Sequence, residues 1–194
     1  MINMKFKNLL LLLSSALFVF ACSSTKAPEE DVGSASVDLM QKGFLLSLSE
    51  ADGWSVVKKT DYKVLLSKQN ESGGYTIQTL VVSLPLFEDD TQFLGFIENR
   101  MADTRKKHKV IEHNTAMYAG SNEICVQYTS KEERKSRSGE PLTLDVVSFT
   151  CRHPNNPEAG VYMALSKSYA PGSSDENMLE TATELFNRLY FTEL

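Results

Sequence analysis

EICVQYTSKEERKSRSGEPLTLDVVSFTC, residues 123–151, decides how the rest of the chain is read. Two runs rich in β-branched and aromatic residues, EICVQYTS and LTLDVVSFTC, flank KEERKSRSGEP, a stretch of charge, Ser, Gly and Pro. Apolar runs bounded in this way read as strands, and the charged stretch, Glu132 and Glu133 included, reads as the solvated tip of a hairpin. Two registers are open. With Ser138 near the centre, Cys125 faces Cys151. A slip of one residue aligns Ile124, Val126 and Tyr128 with Cys151, Phe149 and Val147, a better apolar match, and puts Thr150 opposite Cys125. Cys125 and Cys151 are therefore a candidate disulfide, not a settled one. Such a bond would close a loop of roughly 27 residues and contribute ~3.5 kcal/mol in the chain-entropy model.

Working outward, the pattern repeats. GFLLSLSEADGW (residues 43–54) is an apolar run that ends in turn residues and Trp54. SVVKKT, YKVLLSK and YTIQTLVVSL read as strands, the last closed by Pro85. DDTQFLGFIENRMADTRKKHK then changes period: Phe93, Leu94, Ile97 and Met101 share a helical face, with Asp90 or Thr91 as cap. Arg105, Lys106 and Lys107 fall in its last turn, where cations suit the helix dipole. KVIEHNTAMYA and GVYMALSKSYA read as strands on either side of the hairpin. In SSDENMLETATELFNRLYF, Met178, Ala182, Leu185 and Leu189 form a second helical stripe, with Ser or Asp as cap. Strands mostly follow one another without crossover helices. The expected class is α+β, a mainly antiparallel sheet with helices packed on it.

The front of the chain says where the protein is held. Lys5 and Lys7 precede an uncharged run of thirteen residues, NLLLLLSSALFVF. That is too short for the ~20 apolar residues of a membrane span and suits a secretory leader. The cut site reads Val19-Phe20-Ala21-Cys22 and resembles a bacterial lipobox, with Phe20 bulkier than usual. The resemblance implies cleavage between Ala21 and Cys22, a diacylglycerol thioether on Cys22 and a further palmitate-class chain on its new amino group. Three chains anchor far more firmly than one, each buried CH₂ contributing ~0.8 kcal/mol. SSTKAPEEDVGS lacks apolar periodicity and reads as a tether. The expected organisation is a leader over 1–21, lipidated cysteine and tether over 22–41, and one domain over 42–194. Ser23 after the cysteine matches outer-membrane sorting in enteric-type bacteria, so the expected location is the outer membrane, facing the periplasm.

The chain carries a formal charge of −5, and the leader removes two lysines and no acid, leaving −7 on the mature chain. Nucleic acid wants a basic footprint, so it is excluded as a partner. Electrostatic adhesion to anionic lipid is disfavoured for the same reason, and the acylated Cys22 is the expected link to the bilayer. An exported chain meets oxidising conditions, which suits an even pair of remaining cysteines.

GFLLSLSEADGWSVVK, VLLSK, YTIQTLVVSL, the Phe93–Met101 face, AGSNEICVQYTS and LFNRLYF together resemble PsbP-like domains, over most of residues 43–191. That family includes an extrinsic photosystem subunit and DcrB-like envelope lipoproteins. The resemblance implies an antiparallel sheet between helical layers, an α/β/α sandwich, and a role as binding or assembly accessory. It carries no catalytic residues, and nothing in this sequence transfers the photosystem role.

The residues themselves show little chemistry. There is no G-x-S-x-G elbow and no glycine-rich phosphate loop. Cys151, His153 and Cys125 could make a Cys₂His metal set, but a disulfide beside a surface histidine is the favoured reading. His108 and His113, five apart, are a poor metal pair. Asp89-Asp90 and Glu132-Glu133 read as solvated. Trp54, Tyr75, Tyr118 and Tyr128 could line a ligand pocket between sheet and helix. No enzyme activity, cofactor or metal is expected. Three functions rank in order: a non-enzymatic accessory to another envelope protein, a binder of a small lipid, sugar or metal ligand, and an envelope hydrolase. An exposed apolar patch would favour the first, and a cavity the second.

Overall fold

Hydrogen-bond pairing sorts the strands of this computed structural model into two sheets. The structure describes residues 36–194 apart from 71, 72 and 137. The leader, the Ala21–Cys22 cut site, the lipidated Cys22 and the tether as far as residue 35 lie outside the described residues. The described residues fall in one compact unit that contains both sheets and both helices.

In chain order the elements are β1 (Ser36–Gln41), β2 (Phe44–Ser49), β3 (Ser55–Thr60), β4 (Lys63–Asn70), β5 (Gly73–Ser83), α1 (Asp90–Arg105), β6 (Lys109–Tyr118), β7 (Cys125–Lys135), β8 (Pro141–His153), β9 (Asn156–Tyr169), α2 (Met178–Phe186) and β10 (Leu189–Phe191). A seven-stranded sheet runs β3-β4-β5-β9-β8-β7-β6, and a three-stranded sheet runs β1-β2-β10. Every strand pair in both sheets is antiparallel. The class is α+β, as the strand succession predicts.

Both faces of the large sheet are covered. On one face, Phe149, Met163 and Leu165 meet Phe44 and Leu46 of the small sheet and Ala182, Leu185 and Phe186 of α2. On the other, Val82 and Val126 meet Phe93 and Ile97 of α1. Fully burying a side chain of this size stabilises by roughly 1.5–3 kcal/mol, so α1 is held mainly by these two anchors. Its N-cap is Asp89, one residue before the expected cap, whose Oδ1 accepts the Gln92 N–H at 2.8 Å.

Double coverage explains the register. Cys125 pairs with Cys151 and Lys135 with Pro141, so Ser138 sits at the turn. The apolar-matching slip loses because neither face is the solvent face. Cys125, Phe149 and Cys151 belong to the core shared with α2, whereas Val126 belongs to the core under α1.

Three boundaries differ from expectation. Strand structure is already present at Ser36, ahead of residue 42: Val37 to Gln41 pair with Leu48 to Phe44 across a turn in which Gly43 has φ +86°. A Cβ on Gly43 would also lie 2.8 Å from Leu194 and 2.9 Å from Val81, so glycine is needed there twice over. Next, α2 ends at Phe186, and Leu189 completes its apolar stripe from β10, paired with Leu46. Finally, β7 runs through Lys135, and the hairpin tip shrinks to residues 136–140.

A candidate functional site beneath helix α1

The first half of α1 closes on the sheet. Phe93 and Ile97 are buried, and Phe87 packs against Phe93 and Phe96 with ring centroids 5.2 and 5.4 Å apart. The second half stands over a cleft of about 320 Å³. Ile97, Arg100, Met101 and Thr104 line it from the helix, and Leu80, Tyr128, Val146 and Tyr162 line it from the sheet. Spacing of three and four residues places the helical members on one stripe.

Polar groups gather at this end. Glu132 is 3% exposed. Its Oε2 accepts hydrogen bonds from Arg134 at 2.6 Å (Nη2) and 2.9 Å (Nε), and its Oε1 accepts from Ser130 Oγ at 3.1 Å. Arg134 also meets His108 Nδ1. Burial pushes the Tyr162 phenol up, against the opposing effects of a Ser148 hydrogen bond and the Arg100 charge, so it stays protonated. The Tyr128 hydroxyl is buried without a hydrogen-bond partner.

Sequence reasoning placed Glu132 in a solvated tip, and the structure corrects this. Val126, Tyr128, Ser130, Glu132 and Arg134 alternate onto one face of β7. The signal was the period of two continuing past Ser130 into charged residues.

Of the four aromatics expected to line a pocket, only Tyr128 does so here. Tyr118 packs against Phe149 and Phe186 at 5.0 and 5.5 Å in the opposite core. Trp54 meets Tyr75 edge-on at 6.5 Å, also on that side. Cys125 and Cys151 are joined by a disulfide with an S–S distance of 2.10 Å. Their sulfurs are therefore not thiolates open to a metal. His153 is 3% exposed rather than a surface histidine. Its Nε2 lies 2.8 Å from the Thr192 carbonyl, while Nδ1 accepts the Asn155 N–H at 3.2 Å. Among the described residues, no group of three or more His, Cys, Asp or Glu is arranged to hold a metal.

A second polar cluster lies on the opposite face. Asp175 Oδ2 accepts from Tyr75 at 2.7 Å and from Lys167 at 2.9 Å, and Lys167 Nζ sits 4.6 Å from the Tyr75 ring centre. The side chains of Lys167 and Asp175 are 7% and 12% exposed. Burial alone would raise the Asp175 carboxyl; hydrogen bonds from Lys167, Tyr75 and the Asn177 N–H outweigh it and hold the carboxyl below the ordinary range. This ties the segment before α2 to β5 and β9. A depressed carboxylate contributes stability that is present above its unfolded pKa of ~3.9 and lost as pH falls through the folded value. Asp175→Asn is expected to cost about 1.5–3 kcal/mol at neutral pH and to flatten the loss of stability below about pH 4. Urea unfolding of both forms at neutral and acid pH checks this, and parallel pH profiles would refute it.

No family model matches the sequence. No curated protein matches it either. Among solved structures, the fold is similar to a mutant of protein Mog1 at 7% identity and a TM-score of 0.51, over 82% of this chain and 97% of that one. It is also similar to the Saccharomyces cerevisiae Ran-binding protein Mog1p, at 8% identity and a TM-score of 0.47 over 82% and 96% of the two chains. A Pseudomonas aeruginosa protein of unknown function follows at 9% identity and a TM-score of 0.41, over 79% and 94%. At such identities the likeness is one of fold and does not transfer function.

Proposed function

We propose that this chain is a lipid-anchored, non-catalytic binding protein of a bacterial cell envelope, and that its domain takes a small ligand in the cleft beneath α1. The leader and lipobox pattern ending at Cys22, together with the resemblance to DcrB-like lipoproteins, support the anchor and the periplasmic setting. The Tyr128 hydroxyl, buried without a partner at a cleft of about 320 Å³, carries the ligand reading. An unmade hydrogen bond of that kind costs about 1–3 kcal/mol, which a ligand atom would recover. The volume is at the lower end of ligand pockets, ~300–1,000 Å³. Buried Glu132 and half-buried Arg134 of the cleft form an ion pair rather than a nucleophile with its base, which favours binding over hydrolysis.

The accessory reading has its own support. Met40, Leu45 and Tyr190 form a row across the outer face of the small sheet, with Met40 56% and Tyr190 54% exposed. Three side chains make a small patch, which is why the ligand reading now stands ahead of it.

Native mass spectrometry of the full chain, extracted gently from membranes, tests the reading. The expected spectrum shows acylated protein with a bound mass. Thr104→Trp, an exposed position at the cleft mouth, removes the bound mass and leaves the acyl mass. Cys22→Ala removes the acyl mass and releases the protein from the membrane. Acylated protein without any bound mass, together with one envelope protein captured by crosslinking through Tyr190, would replace the ligand reading with the accessory one.

A further inference from the structure

We infer that the cleft beneath α1 selects a single-chain amphiphile with an anionic, oxygen-rich head, a carboxylate or a phosphate monoester. This rests on the ligand reading above and goes further by naming the chemistry. Two lining groups without a partner among the described residues, the Tyr128 hydroxyl and the Arg100 guanidinium, can both donate. Tyr128 Oη, on a lining residue, is buried and unpaired. The side chain of exposed Arg100, which lines the cleft, makes no hydrogen bond or ion pair with the described residues, and its charge reaches the buried Tyr162 phenol. A group that satisfies such donors must offer acceptors.

Charge points the same way. The one carboxylate among the lining residues, Glu132, is taken up by Arg134 at 2.6 Å, which leaves Arg100 uncompensated. The mature chain as a whole is acidic, so this positive end is local and not a general surface property. With Glu132 held by Arg134, the net charge offered to a head is that of Arg100, which repels a cation and gives an uncharged alcohol no charge-assisted bond. The apolar remainder, Leu80, Val82, Met101 and Val146, suits a hydrocarbon tail. A volume of about 320 Å³ admits one chain of moderate length, not the two chains of a phospholipid.

The test uses residues 34–194, the unit that carries its own core. Dodecanoate, dodecyl phosphate and dodecanol are titrated below their aggregation limits by calorimetry. Both anions are expected to bind at least about tenfold more tightly than dodecanol, the scale of a charge-assisted hydrogen bond. Arg100→Gln is expected to remove that preference while keeping the tail-driven binding. Lys106→Gln, which removes an exposed cation of the next turn paired with Asp103, is expected to change nothing. The stronger of the two anions separates a fatty-acid source from a phosphate source.

Equal binding of all three amphiphiles, abolished by Thr104→Trp, would overturn the anionic head and leave the cleft reading standing. Binding of none of them would overturn the amphiphile assignment; if the full chain also carries no bound mass, the cleft reading falls with it. An equal loss from Lys106→Gln and Arg100→Gln would show general charge attraction and overturn the seat at Arg100.

Discussion

Phe149→Ala is expected to destabilise the domain by about 3–5 kcal/mol, the cost of removing a large ring from a core that cannot collapse into the space. Phe149 is 1% exposed on β8, near the middle of the large sheet. Its ring stacks on Phe186 of α2 with centroids 4.4 Å apart and planes at 16°, and meets Tyr118 of β6 at 5.0 Å. One side chain therefore joins the central sheet, the second helix and an edge strand. Domains of this kind have ~5–15 kcal/mol of stability in all, so the loss is a large fraction. Urea unfolding followed by far-ultraviolet circular dichroism would show it as a lower midpoint with an unchanged slope. Leu179→Ala, at a helical position 48% exposed, should stay within about 0.5 kcal/mol of wild type. Equal small shifts for both variants would mean that α2 does not seal this core.

The second large effect concerns Cys125 and Cys151. Replacing both with alanine is expected to cost about 3.5 kcal/mol, since the bond constrains a loop of ~27 residues in the unfolded chain. Both cysteines are 0% exposed. Dithiothreitol should therefore leave the folded protein oxidised and act once urea opens it. The readouts are the urea midpoint of the double variant and thiol labelling with and without denaturant. Coincident midpoints would show that the bond contributes nothing beyond the strand pairing around it. Rapid labelling without urea would show that this end of the sheet opens readily.

The proposed ligand reading departs from the sequence expectation of a protein partner for a physical reason. Sequence reasoning favoured a protein partner because no site chemistry was visible in consecutive residues. The cleft is assembled from α1, β5, β7, β8 and β9, whose lining residues run from Gln78 to Tyr162. No window along the chain brings Arg100, Tyr128 and Tyr162 together. Tyr128 was singled out as an aromatic, but the orphaning of its hydroxyl is a property of what does not surround it.

Local pattern sufficed for much of the fold. The period of two in the strand runs, the stripe Phe93, Ile97 and Met101, and the breaks near Gly53, Pro85 and Pro171 follow from nearest-neighbour geometry, which any stretch of chain expresses alone. The antiparallel class followed because strands succeed one another with little room for crossovers. Pairing between distant segments was decided by tertiary structure. The register of Cys125 on Cys151 depended on helices covering both faces of the sheet, which the hairpin's own apolar pattern does not encode. The strand fate of Ser36–Gln41 and Leu189–Phe191 depended on β2 lying between them. Burial of Glu132 depended on Arg134 and Ser130 closing around it under a helix some thirty residues earlier. Each of these is a choice between near-equal local options, settled by which distant surface is there to be covered.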